Sequence, residues 1–261
     1  MRPMASRGIA ECDVMESALF PMVPYANRIR DNGFCFQGQH YRVEPNVPGQ
    51  EFNLHGSGWR RAWTVTDISV DTALLSLCYQ NESDGYYYTA HQQYRLTPRA
   101  LSVETQVENT GPRPMPFGLG HHPYWPRTPR TSLQFNATHL WLEGSDHMAT
   151  DRTLVPPAFD YSLGRRLPDA WRNNLYEGWD GVADIRFGDR GVGLRISADP
   201  IFRYLMLYGD PAQTFFCLEP QTHTVGALNC LTDVSASDLG LVVLASGEQL
   251  HGSVVYMPYS L

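Results

Sequence analysis

Lysine is absent from this 261-residue chain, and all 20 of its basic residues are arginines. Without a lysine amine, Schiff-base chemistry, covalent attachment of pyridoxal phosphate and the lysine of a phosphate-binding P-loop are all excluded. Positive charge is also outweighed, since 27 acidic residues give a formal net charge of −7. This balance argues against nucleic acid or an anionic membrane surface as the main partner.

Paired cysteines and long apolar runs are missing as well. The sequence has no CxxC motif, and its odd number of cysteines comprises Cys12, Cys35, Cys78, Cys217 and Cys230. We interpret them as reduced, mostly buried thiols. No apolar run approaches the ~18 residues of a membrane span, and Glu11, Asp13 and Glu16 interrupt the N-terminus where a signal peptide needs an apolar core. The sequence therefore predicts a soluble cytoplasmic protein.

Strand-forming segments dominate what is present. Residues 100–108 alternate apolar and polar side chains, as a half-buried strand does, and no segment has a sustained helical period. The predicted strands are 62–70, 72–80, 86–96, 100–108, 193–198, 203–208, 214–218, 239–244 and 252–256. Short turns between neighbours favour antiparallel sheets, so we predict an all-β sandwich or barrel that forms a single domain over residues 1–261. Residues 144–174 are predicted to be the longest irregular region.

Two adjacent histidines stand in the segment GLGHHPYW at residues 118–125. His122 precedes Pro123, which favours an extended backbone, and the flanking glycines would let a ligand come close. Histidine can give and take a proton near neutral pH, so His122 suits a proton donor facing an uncharged ring, although a structural histidine is the alternative. Neighbouring strand residues point to opposite faces, so His121 and His122 cannot readily chelate one ion. No HExxH or Cys-His cluster supports a metal site either.

Glu219 ends the apolar run at residues 215–218 and precedes Pro220. A carboxyl group held there is expected to be partly desolvated, which would raise its pKa toward that of a working base. A solvated carboxylate closing a strand is the alternative. Glu219 is therefore a candidate general base, and no second carboxylate is as convincingly set for the paired-carboxylate chemistry of a glycoside hydrolase.

Other polar residues could bind a neutral ligand. Arg28 follows an apolar-aromatic run and either clamps hydroxyl groups or pairs with a surface carboxylate. His55, beside Gly56 and near Trp59, either donates to a sugar oxygen or is a turn histidine bonded to the backbone. Residues 171–181 offer amides, indoles and a carboxylate of the kinds that line carbohydrate sites, or else form a polar loop docked by its tryptophans.

Several of these motifs, taken in order, resemble those of the aldose 1-epimerases (galactose mutarotases). The resemblance runs from about residue 18 to the C-terminus and is most specific in its HPY-aromatic and EPQT motifs. The motifs are FPMVPYANRI (20–29), LHG (54–56), GHHPYW (120–125), GWDG (178–181) and CLEPQT (217–222). The resemblance implies a large antiparallel β-sandwich with a sugar site in a concave cleft.

The resemblance also implies roles for individual residues. Glu219 corresponds to the general base that takes the proton of the anomeric hydroxyl, and His122 to the acid that protonates the ring oxygen. Arg28 and His55 correspond to substrate-binding residues, and Asn173 stands where many members have an aspartate. The implied reaction needs a monosaccharide and neither a metal nor a redox cofactor. The chain begins closer to the ANRI motif than is usual, so the first family strands are expected to be missing, leaving a sheet edge exposed.

Two further functions stay open. Arg60-Arg61 would suit a phosphate, which makes a hexose-phosphate mutarotase the second enzyme hypothesis. A sugar-binding or regulatory module without chemistry is the third, although a mere binder needs neither proton carrier. No feature of the sequence indicates an oligomeric state.

Overall fold

The computed structural model describes residue 1 and residues 14–261. Within these residues the chain forms 22 β-strands and five short 3-10 helices, without an α-helix. No helix among them is long and apolar enough to cross a membrane. The interpretations that concern Glu11, Cys12, Asp13 and the first family strands fall on or include residues 2–13, which lie outside the described residues.

The strands, in chain order, are β1 (Leu19–Met22), β2 (Arg28–Ile29), β3 (Gly33–Phe36), β4 (Gln39–Arg42), β5 (Asn53–Leu54), β6 (Thr64–Ile68), β7 (Thr72–Gln80), β8 (Tyr87–Leu96), β9 (Leu101–Asn109), β10 (Met115–Phe117), β11 (Gly120–Pro126), β12 (Thr131–Phe135), β13 (His139–Glu143), β14 (Ala149–Leu154), β15 (Arg165–Arg166), β16 (Arg172–Glu177), β17 (Val182–Phe187), β18 (Val192–Ala198), β19 (Tyr204–Gly209), β20 (Phe215–Gln221), β21 (Val242–Leu244) and β22 (Gln249–Ser260). The 3-10 helices are Val14–Glu16, Arg30–Asn32, Gly58–Arg60, Pro157–Phe159 and Ala227–Cys230.

The chain divides into two compact units that interleave along the sequence. Unit one consists of Met1–Phe20, His121–Pro220 and Val254–Leu261. Unit two consists of Pro21–Gly120 and Gln221–Ser253. Strands β1, β11, β20 and β22 each contribute residues to both units. The prediction of a single domain over residues 1–261 stays a prediction.

Unit one is a β-sandwich of two sheets. One sheet has the order β1-β11-β20-β19-β16-β13-β14, and the other has the order β15-β12-β17-β18-β22. Aromatic rings join them: Trp125 and Tyr256 have centroids 5.7 Å apart, and Phe135 meets Tyr176 edge-on at 4.8 Å. Because alternate residues of a strand point to opposite faces, the first sheet buries one face in this core and turns its other face away from it.

Unit two is built on the antiparallel strands β22-β9-β8-β7-β6. Its aromatic core centres on Tyr86, whose ring lies 5.3 Å from Phe117, 6.0 Å from Tyr25 and 6.2 Å from Phe34. Three short antiparallel pairs complete the unit: β2 with β5, β3 with β4, and β10 with β21. The aromatic-rich composition thus supplies the large apolar side chains of this core.

The long strands follow the sequence pattern closely. The four strands predicted between residues 62 and 108 are confirmed as β6 to β9, with ends within two residues. The irregular region predicted at 144–174 is wrong in part, because it contains β14, β15 and the beginning of β16. Strand β14 lies at a sheet edge and is mostly exposed. It therefore has no buried face to impose the apolar alternation that would reveal it.

The prediction of mostly buried cysteines is also wrong. The four described cysteines form no disulfide with one another, and only Cys217 among them is buried. Cys78 occupies an exposed position of β7, where its Sγ atom lies 3.7 Å from the hydroxyl of Thr89 on β8. Cys35 is exposed on the short strand β3. On both strands the residue before the cysteine is buried, so the strand alternation turns the cysteine side chain to the exposed face.

Candidate active site

His122 and Glu219 lie side by side on β11 and β20, which are neighbours in the first sheet of unit one. The Nε2 atom of His122 is 3.3 Å from the Oε1 atom of Glu219. Both side chains are buried, with residue exposures of 9% and 2%. The arrangement joins a group that can donate a proton to one that can accept it, in surroundings that exclude most water.

His121 points to the other face of β11, as the strand alternation predicts. Its imidazole is buried and meets Phe202 edge-on at 5.6 Å. Burial lowers the pKa of His121 to about 3, so this ring is neutral at physiological pH. The two adjacent histidines therefore have separate roles, and only His122 accompanies the carboxylate.

The glycines before the histidine pair do not open the backbone to a ligand, so that prediction is wrong. A Cβ atom on Gly118 would lie 2.1 Å from Cδ2 of His223, and one on Gly120 would lie 2.4 Å from the methyl carbon of Met22. Within unit two, protein side chains fill the space that the missing Cβ atoms leave. Gly118 and Gly120 are therefore required by the close packing of His223 and Met22 and not by the access of a ligand.

Asn173 lies on β16 of unit one, opposite Tyr208 on β19. Its residue exposure is 7%, and its Nδ2 atom donates a short hydrogen bond to Oε1 of Glu143. Glu143 also accepts from the indole of Trp171 at 2.6 Å and from Nδ1 of His147 at 2.6 Å. Sequence reasoning did not identify Glu143. It closes β13 at an irregularity in the pairing with β14, which no local pattern reveals.

A row of aromatic side chains joins these groups on one face of the first sheet. We call Phe20, Tyr124, Phe215, Tyr208 and Trp171 the aromatic row. Successive rings are in contact along it: Tyr124 lies 5.1 Å from Phe215, Tyr208 lies 6.4 Å from Phe215, and Trp171 meets Tyr208 edge-on at 5.5 Å. At one end the imidazole of His122 lies 4.8 Å from the ring of Tyr124. His122 and Asn173 therefore share a face of unit one.

Glu177 forms a second polar cluster on β16 that the sequence did not single out. Its carboxylate accepts two hydrogen bonds from the guanidinium of Arg152, at 2.8 and 2.7 Å, and one from the indole of Trp141 at 2.8 Å. The hydrogen bonds from Arg152 are the largest cause of a lowered pKa for Glu177. This carboxylate is ionised and fully engaged in structural contacts.

The segment at residues 171–181 is mostly strand rather than loop. Residues Arg172–Glu177 form β16, because alternate side chains there meet the sandwich core and the aromatic row. In the GWDG turn that follows, the indole of Trp179 donates to the carbonyl of Val182 at 2.9 Å, and Asp180 accepts from the backbone N–H of Val182 at 3.1 Å. The tryptophan-docked turn is thus the interpretation that fits residues 178–181.

Arg28 and His55 belong to unit two. Arg28 begins β2, and its Nη2 atom donates to Gln50 at 3.3 Å. His55 is buried, has a φ of 59° and accepts a hydrogen bond at Nδ1 from the backbone N–H of Asn27 at 3.0 Å. That bond makes Nε2 the protonated nitrogen of the neutral ring, as in the turn histidine that the sequence allowed.

The sequence as a whole resembles known proteins. Residues 13–257 match the family profile described as aldose 1-epimerase. The uncharacterized protein YphB of Escherichia coli K12 is 36% identical over 231 residues, which cover 85% of this chain and 78% of YphB.

Solved structures resemble the fold. A protein of Escherichia coli K12 described as a "putative aldose 1-epimerase" superimposes with a TM-score of 0.91 at 31% identity, covering all of this chain and 88% of the other. A galactose mutarotase-like protein of Clostridium acetobutylicum gives a TM-score of 0.78 at 18% identity, over 93% of this chain and 79% of the other. The sheets of this all-β chain have the mutarotase-like β-sandwich architecture that the sequence predicted, and the chain belongs to the aldose 1-epimerase family.

Proposed function

We propose that this protein interconverts the α and β anomers of a free aldose. The observation that carries the proposal is the contact of 3.3 Å between His122 and Glu219, two buried groups that can exchange protons with a sugar. Opening a hemiacetal needs one proton removed from the anomeric hydroxyl and one delivered to the ring oxygen. One base and one acid on the same side of a sheet meet that need.

The proposed reaction begins with Glu219 ionised and His122 protonated. Glu219 removes the proton of the anomeric hydroxyl, the carbonyl bond forms, and the bond between the anomeric carbon and the ring oxygen breaks. The electron pair of that bond passes to the ring oxygen, which takes a proton from His122. Rotation about the first carbon–carbon bond turns the other carbonyl face to the ring oxygen. Reclosure with the roles reversed gives the other anomer and restores both residues.

The aromatic row supports a sugar as the substrate. Its rings cover the sheet face that carries His122 and Glu219 and offer apolar surface to the C–H faces of a pyranose. Tyr208 and Phe215 extend that surface toward Asn173. In the proposal Asn173, Arg28 and His55 bind sugar hydroxyls, and neither a metal nor a redox cofactor takes part. A cytoplasmic location is part of the proposal and is supported by the four described cysteines, which form no disulfide with one another.

The test measures the rate of anomer exchange on freshly dissolved α-glucose and α-galactose, by polarimetry or by NMR saturation exchange. We expect catalysis by the wild type and a loss of roughly 10²–10⁴-fold in Glu219→Gln, the usual contribution of general acid–base groups. Glu104→Gln, a carboxylate-to-amide change on β9, is the control and should keep full activity. Full activity of a folded Glu219→Gln variant would refute the mechanism. Tight sugar binding without exchange would establish the binding-module alternative.

A phosphorylated aldose is the second candidate, favoured by one observation in unit two. A cavity of about 310 Å³ is lined by Arg42, Arg60 and Arg61 among other residues. Arg60 lies over Trp59 at 5.1 Å, which holds its guanidinium in place. Paired guanidinium groups bind phosphate well. Turnover of glucose 6-phosphate in clear excess of glucose, lost in Arg60→Gln, would favour this candidate over the free aldose.

A further inference from the structure

Glu143 holds the amide of Asn173 in one orientation. The carboxylate of Glu143 is largely buried, with a side-chain exposure of 15%. Its Oε1 atom accepts from Asn173 and His147, and its Oε2 atom accepts from Trp171. An ionised carboxylate can only accept hydrogen bonds, so the group that Asn173 turns toward it must be the NH₂ and not the carbonyl.

The consequence concerns the other end of the amide. With Nδ2 committed to Glu143, Oδ1 of Asn173 is directed away from the carboxylate. Across residue 1 and residues 14–261, no side chain or backbone group donates a hydrogen bond to this oxygen. Asn173 as a whole is 7% exposed and its Oδ1 atom is not fully enclosed, so the small accessible part of this residue offers a hydrogen-bond acceptor on the face of the sheet. A carbonyl oxygen that is held in one orientation and is accessible can accept a hydrogen bond from a hydroxyl group of a ligand.

The position of Asn173 relates this acceptor to the proposed reaction. Strands β20 and β16 are separated by β19 in the first sheet, so their axes lie ~10 Å apart at the usual strand spacing. Glu219 is on β20, Asn173 is on β16, and the aromatic row connects their surroundings on one face. That separation suits one sugar whose anomeric centre meets Glu219 while a distant hydroxyl reaches Asn173.

We propose that Glu143 is a positioning residue that fixes Asn173 as an uncharged acceptor for one hydroxyl group of a neutral aldose. The inference rests on the proposed function, since it assumes that a sugar occupies this face. It also explains why position 173 carries an amide. An aspartate there would direct a second carboxylate at Glu143, and two ionised carboxylates in contact repel each other strongly. Glu143, on the neighbouring strand β13, thus supplies the charge at this end of the site. The amide of Asn173 supplies the hydrogen bond to the sugar.

The test moves the carboxylate from position 143 to position 173 and the amide in the opposite direction. We compare wild type, Asn173→Asp, Glu143→Gln and the double variant in anomer exchange, with Glu104→Gln as control. Asn173→Asp should raise KM by roughly 10-fold or more, because it loses the bond to Glu143 and adds repulsion. The double variant pairs the introduced aspartate carboxylate with a glutamine NH₂ and should recover most of that loss. Glu143→Gln alone should raise KM by roughly 2–10-fold with little change in kcat, since its amide no longer dictates which end of Asn173 faces the sugar.

The outcomes separate this inference from the proposed function. An active wild type whose double variant is no better than Asn173→Asp would overturn the positioning role and leave the mutarotase proposal intact. Retention of wild-type KM in Glu143→Gln would overturn it as well, and this holds even where Asn173→Asp fails to fold. A wild type without anomer exchange on any aldose would overturn both proposals. Recovery in the double variant, together with a KM effect confined to these two positions, would support the inference.

Discussion

The ring of Phe20 stacks on the imidazole of His122, with centroids 4.4 Å apart and planes inclined by 24°. Phe20 lies on β1 at the edge of the first sheet, beside the strand that carries His122. The stack fixes the plane of the imidazole, and with it the direction of Nε2 toward Glu219. A protonated imidazole is also attracted to the face of an aromatic ring. Phe20 thus supports both the geometry and the charged state that the proposed acid requires.

Replacement of Phe20 tests this support. Phe20→Leu keeps an apolar side chain but removes the flat ring, so we expect kcat for anomer exchange to fall by roughly 2–10-fold. This range corresponds to the ~0.5–1.5 kcal/mol that an aromatic pair contributes beyond its buried area. NMR saturation exchange measures the rate. Phe36→Leu, on β3 of unit two, is the control. An unchanged kcat in folded Phe20→Leu would show that the stack is not required.

Gly118 is required by the packing of His223 within unit two. Because an added Cβ would lie 2.1 Å from Cδ2 of that imidazole, Gly118→Ala must displace the ring or the backbone. The ring is held at both nitrogens: Nε2 accepts from the N–H of Ala26 at 2.9 Å, and Nδ1 donates to the carbonyl of Thr224 at 2.8 Å. We expect Gly118→Ala to lower the free energy of unfolding by about 1–3 kcal/mol.

Thermal unfolding measures this loss, which should appear as a decrease in Tm of several degrees, at roughly 2–4 °C per kcal/mol. Gly209→Ala is the matched control, because its nearest heavy atom would be 3.6 Å away, an ordinary contact. Equal Tm values for the two variants would contradict the assignment of Gly118 to packing.

The buried histidines should make the protein less stable as the pH falls below 6.5. Burial lowers the pKa of His121 to about 3 and that of His223 to about 4. Each therefore binds a proton more readily in the unfolded chain than in the folded one. The free energy of unfolding is therefore undiminished by these two rings above the unfolded pKa of about 6.5, and it decreases as the pH falls toward their folded-state pKa values. The loss is on the order of 1 kcal/mol per pH unit for each histidine.

Urea unfolding between pH 5 and 7.5 measures this dependence. In His121→Gln the group no longer titrates, so the slope of unfolding free energy against pH should become smaller even though the variant is less stable at pH 7.5. Gln80→Leu, an exposed position on β7 without a titrating group, is the control and should leave the slope unchanged. A wild-type stability that is flat from pH 7.5 to 5 would contradict the neutral, buried state of both rings.

The part of the fold that the sequence predicts is the part with one buried face. Strands β7, β8 and β9 alternate apolar and polar residues because one side of each meets the core of unit two. The predictions fail where that physical cause is missing. Strand β14 is a polar edge, and the short strands β3 and β4 form a hairpin whose pairing is set by its turn.

The candidate site shows the same limit. His122 and Glu219 could be picked out because each stands beside a proline at a strand position, which is a local signal. Their contact depends on β11 and β20 being neighbours, which the resemblance to a family suggested and no local pattern could. Glu143 stands beside no proline and in none of the family motifs, so the sequence did not indicate it. It reaches Asn173 because β13 pairs with β16, and such pairing between distant segments cannot be predicted from a local pattern.

Glu177 is a carboxylate of unit one whose contacts are structural. Its hydrogen bonds from Arg152 and Trp141 account for its lowered pKa. The stability it contributes is therefore present above the unfolded pKa of about 4.5 and is lost as the pH falls through the lower folded value. We expect Glu177→Gln to lower the free energy of unfolding at pH 7 by about 1–3 kcal/mol while the anomer exchange rate stays within about 2-fold of the wild type. The difference in stability should shrink near pH 3.5, where the unfolded wild-type carboxyl is protonated. A variant of wild-type stability that loses activity would instead make Glu177 a contact of the substrate.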